Sequence, residues 1–169
     1  MVELRTPPPA TAEAGRLADE LERAHRGGAW HGPALAETLV DVDAATALRR
    51  PVPTAHTIWE IVSHVSGWLD TCRRRIEDET DQDPTPEEDW PPTAEVGDGA
   101  EDAWQRELVT LDERFRRFHA TVTALDDSRL ETPVAGSAPT VRGLILGVIQ
   151  HHAYHGGQIT LLRKSGATP

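Results

Sequence analysis

"TVRGLILGVIQHHAYHGGQITLLRK", residues 140–164, reads as one long helix. Val141, Leu144, Ile145, Val148, Ile159 and Leu162 recur at helical spacing on one stripe. Pro139 precedes it and "SGATP" closes it. Into the middle of this apolar pattern the chain sets His151, His152 and His155, followed by Gly156 and Gly157. Histidine is a middling helix former and paired glycines weaken a helix further, so the histidines need a reason beyond local propensity. At about 100° per residue, side chains four apart point about 40° from one another. His151 and His155 therefore share a face, close enough to reach one metal ion. His152 and His155, three apart, also converge, so spacing alone leaves both pairs open. Either pair is short of a metal site by at least one ligand, which must come from a facing helix.

Three more long helical segments lie upstream, and almost nothing alternates as a strand would. The first runs from about Thr11 to Arg26, with Leu17, Leu21 and Ala24 on one face, and stops at Gly27 and Gly28. In the connection after it, Pro33 and Asp43 each mark the opening of a short helix. The second long helix opens with a capping box in "TIWE", Thr57 at the N-cap and Glu60 at N3. Ile58, Ile61, Val62, Val65, Trp68 and Leu69 form its stripe before "RRRIEDE" turns toward solvent. His64 sits on the edge of that stripe and is the candidate third ligand. The acidic, proline-rich loop 79–98 follows, longer than most loops and so a candidate for function or mobility. The third long helix, from about Ala100 to Leu125, carries Trp104, Leu108, Leu111, Phe115, Phe118 and Val122. The expected fold is all-α: a single four-helix bundle domain over 1–169, with short helices between helices one and two and a flexible N-terminus over 1–10.

Composition narrows the function. The net charge of −11 argues against nucleic-acid binding, which needs a basic patch. No apolar run reaches the roughly 20 residues that span a bilayer, and the N-terminus lacks the apolar core of a signal peptide. The expectation is a cytoplasmic protein. A single cysteine, Cys72, excludes an internal disulfide and a multi-cysteine zinc site; it reads as a small packed residue. His25 and His119 stand beside basic residues on expected surface faces, and His56 precedes the second helix; none is assigned a role.

"HTIWEIVSHVSGW" and "HHAYHGGQI", with "AWHGPALAETL" upstream, resemble the DinB/YfiT-like superfamily of metal-binding four-helix bundles, which is unrelated to the polymerase of similar name. The likeness runs from about Trp30 to Lys164. It is most specific in helix four, where H-x-x-Y-H-x-G-Q falls on His151, Tyr154, His155, Gly157 and Gln158. The resemblance implies His64, His151 and His155 as ligands of one divalent metal (zinc, nickel or iron), with His152 the variable position, and implies a homodimer. The "WHGP" stretch containing Trp30 and His31 matches as well, without a role that can be given to it.

Neither H-E-x-x-H, a G-x-S-x-G elbow nor a phosphate-binding glycine loop occurs. Chemistry therefore falls to the metal, which lowers the pKa of what it binds. The superfamily includes thiol-dependent S-transferases and isomerases in which a small thiol, mycothiol or bacillithiol, is held as thiolate. The resemblance thus implies such a transferase or isomerase, or a hydrolase-like metalloenzyme; the competing reading is a non-catalytic metal- or small-ligand-binding stress-response protein. Gln158, Tyr154 and Trp68 are the candidates for supporting the ligands. The two glycines invite close approach of a backbone, a ligand or a second copy of the chain.

Overall fold

The computed structural model describes residues 13–78, 80–93, 97–134 and 140–165. Residues 1–10, expected to form a flexible N-terminus, lie outside them. Among the described residues there is no strand. The helices are α1 (Glu13–Arg26), α2 (Leu35–Thr38), α3 (Ala44–Leu48), α4 (Ile58–Glu77), α5 (Pro86–Asp89), α6 (Ala100–Thr123) and α7 (Val141–Ser165), with a 3-10 turn at Asp127–Arg129.

The four long helices are α1, α4, α6 and α7. Both α4 and α1 pack on α6 and on α7, so α1 and α4 stand at opposite corners of a four-helix bundle. The expected stripes fill its centre. Leu21, Val62, Phe118, Val122, Ile145 and Ile159 are fully buried, and each such side chain contributes roughly 1.5–3 kcal/mol by leaving water. Trp104 is sealed in with them, its indole N–H donating to the Val42 carbonyl at 2.7 Å, which satisfies the one polar atom it brings inside.

Local chemistry sets the ends. The Thr57 hydroxyl accepts from the Glu60 N–H at 3.2 Å while the Glu60 carboxylate accepts from the Thr57 N–H at 2.7 Å, the expected capping box of α4. Asp43 caps α3 through the Thr46 N–H at 2.8 Å. Beyond α1, Gly28 adopts φ +82°, a left-handed turn that glycine enters without strain.

Two readings of the sequence are corrected by burial. His25 is 2% exposed, because it follows Leu21 by one helical turn and continues the inner face of α1; its basic neighbours obscured that register. Arg75 and Ile76 are also buried, because the inner face of α4 continues through Leu69, Cys72 and Ile76 rather than ending before "RRRIEDE". Gly156 gives α2 its seat: a Cβ there would touch Thr38 Cγ2 at 3.9 Å and Leu35 Cα at 4.0 Å. Gly157 faces outward, with nothing within 4 Å of an added Cβ.

Candidate metal centre

His64 projects from α4, and His151 and His155 from α7, into the seam between the two helices. The Nε2 atoms of His64 and His151 are 3.0 Å apart, and those of His155 and His151 are 2.9 Å apart. One ligand atom from each of the three lies within 4.8 Å of the others. His152, adjacent in sequence, turns the other way and meets His25, its Nε2 3.1 Å from His25 Nδ1.

The far side of each ring determines what the near side offers. His64 Nδ1 lies 3.0 Å from both the Asp89 carbonyl and Asp89 Oδ1, so it carries the proton and donates. His155 Nδ1 donates likewise to Gln158 Oε1 at 2.7 Å. A neutral imidazole with its proton on Nδ1 has a lone pair on Nε2. Two lone pairs therefore aim at His151 Nε2, and a single proton on that atom is the most the three nitrogens can share. A cation satisfies all three. Metal–imidazole bonds of about 2.0–2.1 Å accommodate nitrogens at these separations, so the donor set fits a divalent ion.

Electrostatics favour the same state. Burial pushes the His151 imidazole down to about 3, helped by His155 and His64. It pushes His155 down to about 4 against the hydrogen bond that His155 donates to Gln158. His64 is also lowered by burial, with Asp89 pulling the other way. All three are neutral at pH 7, the form that binds metal.

The acidic loop supplies what helix periodicity could not. Asp89 ends α5 and also accepts the Trp68 indole N–H at 2.7 Å, so one carboxylate orients both a histidine and a tryptophan. Trp90 stacks on His64 at 4.0 Å and 7°, and His56 stacks on the outer face of Trp90 at 3.5 Å and 5°. Neither Asp89 nor Trp90 was singled out from sequence. The legible signal was "TPEEDW": Thr85 and Glu88 form a second capping box with Pro86 in the first turn, which fixes the two residues that follow.

Trp68 is half-buried beside the cluster, 6.5 Å from the His151 ring. Tyr154 is 64% exposed and meets only the edge of His155, at 5.0 Å between ring centres. Cys72 is buried and pushed up to about 12 by burial. Trp30 is fully exposed and His31 exposed. A cavity of about 340 Å³ opens beside the cluster, bordered by His64, Trp68, Asp89 and His151. A larger one of about 540 Å³ lies on the α6 side of Trp68 and touches none of the three histidines, whereas the smaller is bordered by two of them.

An all-α bundle with three neutral imidazoles converging between two of its long helices presents a set of nitrogen donors that could hold a metal ion. The chain belongs to the DinB superfamily, whose family model matches residues 29–159. That span takes in α2 to α6 and α7 as far as Ile159, including all three histidines. No curated protein and no solved structure matches the chain.

Proposed function

We propose that His64, His151 and His155 hold one divalent metal ion and that the protein is a metal-dependent transferase or isomerase acting on a low-molecular-weight thiol, such as mycothiol or bacillithiol. The observation that carries this reading is the convergence of the three Nε2 atoms, two with their lone pairs committed by Asp89 and Gln158. A divalent ion at this site supplies positive charge that lowers a thiol's pKa from about 8.5 and favours the thiolate at neutral pH. The chain's own residues prepare for it. Asp89 and Gln158 hold the ring tautomers, Trp90 covers His64, and Trp68 walls the adjoining cavity. Cys72, its thiol held protonated by burial, is not the nucleophile, which is consistent with an external thiol filling that role.

The test is cobalt substitution followed by titration with mycothiol and bacillithiol. A sulfur-to-cobalt charge-transfer band, with consumption of free thiol when an electrophile is added, supports the reading. Absence of both leaves a non-catalytic metal-binding protein. We also propose a homodimer. Leu146, Tyr154 and Leu161 expose apolar surface on α7, and sedimentation equilibrium at micromolar concentration should show a species of twice the 18.5 kDa chain mass; a monomer alone contradicts it.

A further inference from the structure

The cavity beside the histidines is a groove with two different ends. On α4 it is lined by His64, Trp68, Cys72 and Arg75, positions three or four apart that share one face of the helix. On α7 it is bordered by Leu144, Gly147, Val148 and His151 among others. One end is the histidine cluster and the other is the Arg75 guanidinium. Between them the walls are Trp68, Cys72, Leu144 and Val148, mostly apolar.

Arg75 is unusual in this setting. It is 3% exposed, and a guanidinium stays charged in proteins. Its ion-pair partner is Asp83, whose side chain is 69% exposed on the loop ahead of α5 and therefore well solvated. Arg75 Nε is one of two buried side-chain nitrogens without a hydrogen-bond partner among the described residues, with Arg74 Nε the other. A buried charge normally demands close compensation, because removing it from water costs several kcal/mol. One solvated carboxylate is thin compensation. The Trp68 ring takes part of the remainder, with the Arg75 guanidinium carbon 5.6 Å from its centre.

We infer that the groove binds a small carboxylic acid with an apolar body, its carboxylate paired with Arg75 and its far end reaching the histidine cluster. Arginine suits a carboxylate because its planar fork makes two parallel charge-assisted hydrogen bonds. Trp68 sets the length: its ring lies 5.6 Å from the guanidinium carbon and 6.5 Å from the His151 ring, so cation and imidazole are separated by at most the two together. Gly147 keeps the wall open, since an added Cβ there meets nothing within 4 Å. The chain's net charge of −11 repels anions at long range, so Arg75 acts as a local selector, admitting an acid that fits the groove. The inference deepens the metal-and-thiol reading by naming the substrate's second group, and it rests on that reading for what occupies the other end.

The experiment uses full-length, zinc-loaded protein and two probes of equal length, ω-mercapto-octanoic acid and ω-mercapto-octanol, followed by calorimetry. Zinc content is measured on every variant. Wild type should bind the acid about tenfold more tightly than the alcohol, the scale of one charge-assisted pair. Arg75→Met should remove that preference with zinc content unchanged; it deletes the charge, keeps the length and leaves Asp83 in water, so folding is retained. Gly147→Leu should weaken both probes together. No preference in wild type, or a preference that survives Arg75→Met, overturns the inference. If the protein takes up no zinc, the metal reading has failed separately. Octanoate against octanol in metal-free protein then decides the Arg75 site, an unchanged acid preference in Arg75→Met again overturning it.

Discussion

Replacing His25 with phenylalanine should flatten the pH dependence of stability, by an amount that follows from the sealed pair His25–His152. Both rings are almost fully buried. His152 Nδ1 donates to the Val148 carbonyl at 2.9 Å, so its Nε2 is an acceptor and His25 Nδ1 must supply the proton at 3.1 Å. His25 also stacks on Phe115 at 3.7 Å and 7°. Desolvation holds both imidazoles far below their ordinary range, with His152 opposing a charge on His25 and His155 opposing one on His152. The folded chain therefore keeps them neutral at pH 5, while the unfolded chain protonates them below about 6.5. Protons bound only by the unfolded state favour unfolding. The stability tied to each ring is complete above about pH 6.5 and is lost progressively as pH falls toward its folded value. Between pH 7.5 and pH 5 that loss is about 2 kcal/mol per imidazole. His25→Phe keeps the stack on Phe115 and removes one titrating group. It also strips His152 Nε2 of its donor, costing roughly 1–3 kcal/mol at every pH and easing protonation of His152. Urea unfolding at the two pH values, on wild type and variant, isolates the linkage from the constant cost. The fall in stability from pH 7.5 to pH 5 should be smaller in the variant by at least about 2 kcal/mol. Equal falls in both proteins would refute the claim that the pair is held neutral.

Asp89→Ala should lower metal affinity by about 10–100-fold while leaving the helical circular dichroism intact, since Asp89 orients His64 and Trp68 but contributes nothing to the bundle centre; unchanged affinity in a chelator competition would show that Asp89 does not position the ligand. Cys72, 5% exposed and pushed up to about 12 by burial, should resist alkylation in the native protein at pH 7, where its thiolate fraction is on the order of 10⁻⁵. Mass spectrometry should find it labelled only after denaturation, and native labelling at the rate of a free thiol would contradict the packing described.

Much of the bundle was legible because helical periodicity reports burial directly. The stripes on α4, α6 and α7 lie inside almost residue for residue, and the Thr57–Glu60 box starts α4 where its chemistry says it should. The histidines of α7 were legible as a group, and the family resemblance, not spacing, pointed to His151 rather than His152 as the companion of His155. His151 and His152 have equal access to His155 by spacing, and only the positions of α1 and α4 send one ring to His64 and the other to His25. Asp89 and Trp90 escaped notice for a different reason. Asp89 ends, and Trp90 directly follows, a four-residue helix inside an acidic loop, too short for periodicity, so their contact with His64 is a property of tertiary packing. Arg75 was misplaced because a run of three arginines looks uniformly solvated, although the last of such a run need not share its neighbours' helix face.

Elemental analysis of full-length protein purified without a histidine tag tests the central claim most directly. It should be set beside His64→Ala, His151→Ala, His155→Ala and His152→Gln, each checked for helical content. The account predicts about one divalent metal ion per chain in wild type, as expected for a single three-histidine site. It predicts near-complete loss in each of the three alanine variants and retention in His152→Gln, because His152 faces His25 rather than the cluster. Wild-type protein without metal, or full metal in His151→Ala with loss in His152→Gln, would contradict it.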